Sequence, residues 1–381
     1  MRDSTASDVH ATAARASLAG AWRAVAVPFF VTRTGVLLVG LAAAVVIGDT
    51  PAAGEPSAWR VAVDPARNLL ARWDAFWYLD IATRGYHWNG NPLEQQNVVF
   101  FPLFPLLMRG LGAIVGGHPL VAGLVVSLSA FLLALCYFWR WTADRLGTDA
   151  ATGAVWLLSA FPLSLFFSAV YTESLYLLIV VAACYYAERR QFARSAIVGL
   201  FGGLVRPNGW LLSIPLAWLA FVADRDRRRV MSRGAAVLAP VLGVLGFSAY
   251  LAWHVGDAAA WLTNQAAWPN NLGQPPPDVP SYWHNLWWIP NALPLGLVLV
   301  SLVPLTHLLG AAYGIFVTVN IAPPLLRHGL LSMGRFSSVM FPTFAWLATR
   351  VRGRARTLLI LAFAVVQAVM AALFFTWRPV L

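Results

Sequence analysis

Lysine is missing from this sequence altogether: all 27 basic residues of the 381-residue chain are arginine. Its absence excludes Schiff-base chemistry and leaves any recognition of phosphate to guanidinium groups or backbone N–H. A GC-rich genome, which favours arginine codons, would produce the same bias. Cysteine is almost missing as well. Cys136 and Cys184 both fall in apolar runs, so they read as free buried thiols, and a disulfide framework is excluded. Charge of either sign is scarce, at 11% of residues, where soluble domains run at about 25%. Histidines stand at positions 10, 87, 118, 254, 284, 307 and 328 without paired ligand spacing, which argues against zinc. No cleavable signal peptide is expected, because residues 1–22 are mixed and polar and the first apolar run is too long for an h-region.

What the chain has in abundance is hydrocarbon. Hydrophobic residues make up 59% and mean hydropathy is +0.66. They gather into runs such as 234–253 and 357–376, long enough for the roughly 20 residues with which a helix crosses the hydrocarbon layer. The expected class is an all-α polytopic membrane protein. Net charge +11 is a poor argument for nucleic acid, because the arginines cluster in short loops between apolar runs, as the positive-inside bias requires.

Placing Arg140/Arg145, Arg189/Arg190/Arg194, Arg225 to Arg233 and Arg350 to Arg356 in the cytoplasm orients the spans. Residues 1–24 become a cytoplasmic N-terminal segment, and 25–381 a single transmembrane domain. Its working face is built from outer loops 49–118 and 257–290, the second containing Gln274-Pro275-Pro276-Pro277. About eleven crossings are expected, with interfacial helices in the first outer loop. Residues 99–116 read equally as a span or an interfacial cap. In 194–223, Arg206-Pro207-Asn208-Gly209 reads as a break between two short helices that meet near the outer side. The four cytoplasmic arginine clusters imply a multi-pass plasma-membrane protein with its N-terminus inside and its active face outside.

Acids are few, so each is informative. Asp49, Glu55, Asp64, Asp74, Asp80 and Glu94 lie in the first outer segment, and none follows Asp278. The densest polar–aromatic stretch runs from Arg72 through Trp73, Asp74, Phe76, Trp77, Tyr78 and Asp80 to Arg84. On a helix Trp73, Phe76, Trp77 and Asp80 share or adjoin one face, and Asp80 and Arg84 form an i,i+4 surface pair. Asp74 has no partner at helical spacing. It reads either as part of an interfacial aromatic belt or as a general base at the membrane boundary. Glu173, on an outer turn, suits a helix N-terminus; its alternatives are accepting a sugar hydroxyl or orienting a catalytic arginine. Asp224-Arg225-Asp226 has the form of a metal-holding pair, but its setting among arginines makes the acids partial neutralisers. Arg206 and Arg335 break the positive-inside pattern, so each reads as a snorkelling side chain or as a partner for a lipid-linked phosphate. Trp261, Gln265 and Trp268 at i, i+4 and i+7 form a stripe suited to a sugar ring or to headgroup anchoring.

Together these stretches resemble the PIG-V family of membrane mannosyltransferases. The matching residues are Arg72-Trp73-Asp74-x-x-Trp77-Tyr78-x-x-Ile81-Ala82-x-x-Gly85-Tyr86 and Phe100-Phe101-Pro102-Leu103-Phe104-Pro105. After them come Tyr171-Thr172-Glu173-Ser174, Arg206-Pro207-Asn208-Gly209, Gln265-x-x-Trp268, Arg335 with Phe341-Pro342, and Trp377-Arg378-Pro379. The resemblance implies a GT-C-like glycosyltransferase with a catalytic Asp in the first outer loop and a polyprenyl-phosphate sugar donor. Carried over, Asp74 is the base of an inverting displacement, and Arg206 and Arg335 stabilise the departing lipid phosphate. Trp73, Trp77, Tyr78, Tyr171, Glu173, Asn208, Gln265 and Trp268 then hold the sugar or acceptor. Mannose is the family's sugar, and the acceptor is a lipid, a glycan or a protein hydroxyl. No cofactor is expected; GT-C members differ in their use of divalent metal, and the sparse acids lean against one. The lysine-free chain points to a bacterial member. A lipid or glycolipid transporter would use the same outer aromatics and arginines, but it needs a midplane site reachable from both sides. A structural scaffold leaves the break at Arg206 without a purpose.

Overall fold

A computed structural model describes residues 18–48, 68–222, 229–268, 288–378 and 380. Asp49, Glu55, Asp64, Asp224-Arg225-Asp226, Gln274 to Pro277, Asp278 and Pro379 lie outside the described residues, as does most of the N-terminal segment. The chain begins with α1 (Leu18–Val46), α2 (Ala75–Arg84), α3 (Leu103–Ile114), α4 (Pro119–Leu146) and α5 (Thr148–Ala160). After a 3-10 turn over Pro162–Ser168 come α6 (Glu173–Glu188) and α7 (Phe192–Val205). Pro207–Leu212 is a second 3-10 turn, followed by the single turn α8 (Ser213–Ala217) and a π-helical turn. Then come α9 (Val230–Val255), α10 (Ala260–Thr263), α11 (Ile289–Leu309) and α12 (Ala311–His328). The last helices are α13 (Met333–Ser338), α14 (Phe341–Arg350) and α15 (Gly353–Phe375). There is no strand among the described residues.

Among the described residues five helices are long and apolar enough to cross a membrane: Gly20–Val46 of α1, α4, α9, α11 and α15. A sixth crossing arises if α5 and Pro162–Ser168, bent by 80°, count as one broken span. The other segments expected to cross are shorter or split. The twelve residues of α3 rise about 18 Å, well under the roughly 30 Å of a hydrocarbon core. Residues 333–349 divide into α13 and α14 at Val339–Met340. A run of apolar residues reports what surrounds the chain, not whether its helix continues; that is why the count from hydropathy exceeds the number of long helices.

The two breaks explain the architecture around the site. Pro162 has no N–H, so the helix of α5 stops at Phe161 and leaves carbonyls without their usual donors. In a membrane such groups must be satisfied by protein, and two distant side chains do it. Arg33, buried on α1, donates to the Ser159 carbonyl at 2.7 Å, to the Ser164 carbonyl at 2.5 Å and to Ser168 Oγ at 3.1 Å. Gln367 on α15 donates to the Ser159 and Phe161 carbonyls at 3.0 and 2.7 Å. The second break is at Arg206, whose backbone is extended (φ −151°, ψ 153°). There Gly209 approaches Gly202 so closely that a Cβ on Gly209 would lie 1.8 Å from the Gly202 carbonyl oxygen. Small residues also bring α7 against α9: a Cβ on Gly203 would fall 1.9 Å from the Pro240 carbonyl oxygen. Lipid supplies no hydrophobic drive between helices, so close backbone approach and polar links hold them together.

The far end of α6 is tied by a separate polar cluster. Glu188 accepts from Arg145 and from Tyr313, Trp141 Nε1 donates to Tyr313 Oη at 2.8 Å, and Arg189 pairs with Asp144. These are the arginines of the basic clusters, gathered at one end of α4, α6 and α12. The site begins at the other end of α6, some 16 residues away, or about 24 Å along the helix axis.

Candidate active site

Asp74 is the last residue before α2, helical in backbone (φ −57°, ψ −18°) but making no side-chain cap. Its own N–H donates to Tyr171 Oη at 3.1 Å, which holds the start of α2 against the turn before α6. Trp73 adopts a left-handed conformation (φ 50°). It therefore leaves the helix face on which it was expected and packs its ring against Trp377, 5.2 Å between centroids. Arg72 is buried, donating to the Phe375 and Asn68 carbonyls at 2.9 and 2.6 Å and lying over Trp377. The Arg-Trp-Asp sequence thus works as a hinge: the first residue anchors to the end of α15, the second turns the chain, and the third faces the site.

Asp74 is not the unpaired carboxylate that helical spacing suggested. Arg335, 261 residues later, places Nη1 2.7 Å from Asp74 Oδ2. The same guanidinium has Nε 3.3 Å from Glu173 Oε1, and that oxygen also pairs with Arg206 Nη2. Arg206 Nε in turn donates to Thr172 Oγ1 at 2.9 Å, and Tyr78 Oη reaches that hydroxyl at 3.5 Å. Two acids and two arginines therefore form one continuous row, Asp74–Arg335–Glu173–Arg206. Spacing along any single helix cannot reveal it, because each member comes from a different part of the chain.

Exposure separates the two acids. The Asp74 side chain is 25% exposed and Glu173 only 1%. Asp74 can reach a ligand; Glu173 is an internal counter-ion whose second oxygen, Oε2, is buried without a hydrogen-bond partner among the described residues. Tyr171 and Tyr78 border both acids. Burial first, then the Asp74 and Glu173 charges, push both phenols well above their ordinary range, so they remain protonated.

The expected aromatic wall divides. Trp77 stacks on Phe100 at 5.7 Å, and Trp268 meets both rings edge-on at 6.0 and 5.6 Å. Tyr78 packs between Phe100 and Phe104. Trp261 instead donates to Ser248 Oγ at 2.9 Å and joins Phe101 and Phe247. The proposed Trp261/Gln265/Trp268 stripe fails because α10 ends at Thr263, a 3-10 turn follows, and Trp268 is extended. Gln265 is half-buried in that turn. Asn208 donates to Asn320 Oδ1 at 3.3 Å, an oxygen that also accepts from Tyr176, whose ring lies 5.1 Å from the Arg206 guanidinium. Asp80 does pair with Arg84 at 2.9 Å, but it is buried, not a surface group, and also accepts from Asn97 at 2.8 Å. Among the described residues no three His, Cys, Asp or Glu side chains converge.

Several contributors escaped the sequence reading. Thr172, between Tyr171 and Glu173, accepts from Arg206 Nε and Tyr78 Oη, a role that a threonine beside an acid does not signal. Asn264 is fully buried and fastens the second outer segment to the first, accepting from Gln96 N–H at 3.2 Å and donating to the Glu94 carbonyl at 2.7 Å. Its one signal was adjacency to Gln265.

Residues 49–222 match the family model Mannosyltransferase (PIG-V). No curated protein matches the chain. The matched part contains Asp74, Tyr171, Glu173 and Arg206, while Arg335 joins them from the remainder. Over that stretch, a little under half of the chain, the sequence is similar to the mannosyltransferases of the PIG-V family.

Proposed function

We propose that the protein moves mannose from a polyprenyl-phosphate donor to a hydroxyl acceptor on the extracytoplasmic face of a bacterial plasma membrane, with inversion at the anomeric carbon. The observation that carries this reading is the Asp74–Arg335 contact at 2.7 Å beside a buried Glu173–Arg206 pair. It puts a ligand-accessible carboxylate next to two guanidinium groups, the set that a phosphate leaving group and a hydroxyl nucleophile require. In the reaction the acceptor oxygen bonds to the anomeric carbon as the bond from that carbon to the phosphate oxygen breaks. The electron pair leaves with the phosphate, and the hydroxyl proton passes to Asp74. Arg335 and Arg206 meet the growing charge on the lipid phosphate with fixed donors. A donor phosphate competes with Asp74 for Arg335, so arrival of the donor frees the base.

On this reading the fold is GT-C-like with about eleven crossings, and the short helices α7, α13 and α14 complete crossings as broken pairs. The N-terminus is then cytoplasmic. The acid–arginine row faces outward, since the opposite end of α6 holds the arginine-rich loops. Trp77, Phe100 and Trp268 supply an apolar wall to the sugar, and the acceptor is a lipid, a glycan or a protein hydroxyl.

The direct test supplies purified protein in nanodiscs with radiolabelled polyprenyl-phosphate mannose and a membrane lipid extract. Label in a new product supports transfer and identifies the acceptor. Donor that binds but is never consumed, across lipid, glycan and peptide acceptors, would overturn the transferase reading. Within that assay Trp268→Ala is expected to lower kcat/KM by about tenfold, the upper end of what an aromatic pair contributes, and Trp268→Phe by less. Equal losses would make the ring a packing element with no role in sugar binding.

A further inference from the structure

Arg33 stands near the middle of α1 and is 2% exposed, and no acid pairs with it among the described residues. A cation inside an apolar span is costly and is a functional candidate by default. Its Nε donates to Thr32 Oγ1 at 3.2 Å. Every other hydrogen bond it makes goes to the break after α5: Nη2 to the Ser159 carbonyl, Nη1 to the Ser164 carbonyl and to Ser168 Oγ. The guanidinium also lies 5.0 Å from the Phe131 ring, which stacks at 4.3 Å on Phe167 of the same turn. Capping free carbonyls does not require this charge. Gln367 meets the Ser159 and Phe161 carbonyls with a neutral amide, whose desolvation is far less costly. What the guanidinium adds is a rigid fork with several donors. It spans the break, holding Ser159 on the α5 side and Ser164 and Ser168 beyond it, whereas Gln367 stays on the α5 side.

The turn that Arg33 grips also touches the acid–arginine row. The Phe166 ring lies 5.8 Å from the Arg335 guanidinium and 5.2 Å from the Tyr171 ring, and Tyr171 Oη accepts the Asp74 N–H. Leu163 presses on the start of α13: a Cβ on Gly334, the residue before Arg335, would lie 3.0 Å from Leu163 Cγ. Ser174, the neighbour of Glu173, donates to the Phe167 carbonyl at 3.4 Å. Asp74, Glu173 and Arg335 thus take their places from one turn, and Arg33 fixes the place of that turn.

We propose that Arg33 is a positioning residue for sugar transfer: through Ser164 and Ser168 it sets the Pro162–Ser168 turn, and through Phe166 and Tyr171 the turn sets Arg335 against Asp74. The proposal rests on the reading of the acid–arginine row as the reacting groups. Arg33 touches neither donor nor acceptor. It acts by holding a base and a phosphate-binding cation at one separation, and catalysis by fixed groups is sensitive to displacements of about 1 Å. Lipid offers no donors to hold the turn if Arg33 is lost.

The experiment compares the full chain as wild type, Arg33→Gln and Gln367→Leu in nanodiscs, reading kcat, donor KM and thermal unfolding for each. Arg33→Gln keeps an amide donor for a carbonyl but gives up the span across the break. It is expected to lower kcat by about 10- to 100-fold, the scale of a displacement of about 1 Å, with donor KM changed by less than about threefold because both arginines of the row remain. Gln367→Leu also removes hydrogen bonds at the break and should unfold earlier, yet keep kcat within about threefold of wild type. If both variants lose kcat in step with stability, Arg33 only caps carbonyls and the proposal ends. Ser168→Ala is the second variant and serves also if Arg33→Gln does not insert. It should lower kcat by about tenfold, and add little to Arg33→Gln because the two residues share one interaction. Wild-type turnover in Ser168→Ala, or full additivity, overturns the role. If wild type itself transfers nothing to any acceptor, the transferase reading fails, and Arg33 is then judged by structure alone. In Arg33→Gln or Ser168→Ala the Asp74–Arg335 contact, 2.7 Å in the wild type, should open beyond hydrogen-bond reach. A contact kept at that distance in both variants overturns the positioning role.

Discussion

Asp74→Asn is expected to cut turnover by about 10²- to 10⁴-fold, the range over which a positioned general base acts, while donor binding persists. The substitution is close to neutral in volume, and the amide oxygen can still accept from Arg335 at the place where Oδ2 now stands, 2.7 Å away. The Asp74 N–H bond to Tyr171 is a backbone contact and survives. What disappears is the capacity to take a proton. The measurement is single-turnover transfer together with equilibrium binding of the lipid phosphate. Loss of turnover with binding retained identifies the base. Loss of both would move Asp74 from proton transfer to donor recognition, and unchanged turnover would remove it from the chemistry.

Glu173→Gln is expected to be strongly destabilising. Arg206 and Arg335 converge on the same carboxylate oxygen of a side chain only 1% exposed. Removing one partner from a buried ion pair costs about 3–5 kcal/mol, because the remaining charges stay buried and here also repel one another. Thermal unfolding in detergent would show a lowered transition, and turnover would fall with it. Pairing Glu173→Gln with Arg206→Met should recover part of the loss, as expected for neighbours that share one interaction. A transition at the wild-type temperature in the single variant would mean that solvent or lipid headgroups already screen the pair, and that Glu173 is not the internal counter-ion.

Much of the fold was legible because the membrane imposes it. The long apolar run 234–253 falls within α9 and 357–376 ends one residue beyond α15, and Arg206-Pro207-Asn208-Gly209 announced its break through proline and glycine chemistry. Asp74, Glu173, Arg206 and Arg335 were each singled out individually, for scarcity or for position. Their assembly was not legible: charge pairing across 261 residues leaves no periodicity, and an acid without a helical neighbour looks unpaired. Arg33 was missed for a related reason. It sits in the first apolar run, where hydropathy averages it away, and its partners are carbonyls, which carry no sequence identity. Aromatic stripes failed in the opposite sense. The α-helical spacing of Trp261, Gln265 and Trp268 was real in the sequence, but the helix it presumed is a single turn long.

The row Asp74–Arg335–Glu173–Arg206 has equal numbers of positive and negative members, so its formal charge at rest is zero. On the proposed reaction a donor phosphodiester adds one negative charge. Transfer converts it to a monoester dianion, but Asp74 has by then accepted a proton, so the total is the same before and after. Charge is not created at the site; the negative charge that Asp74 loses on taking the hydroxyl proton reappears on the lipid phosphate. Loss of that proton to water restores the carboxylate beside Arg335, where it contests the guanidinium with the spent phosphate. The base that begins a cycle is then also the group that evicts its product.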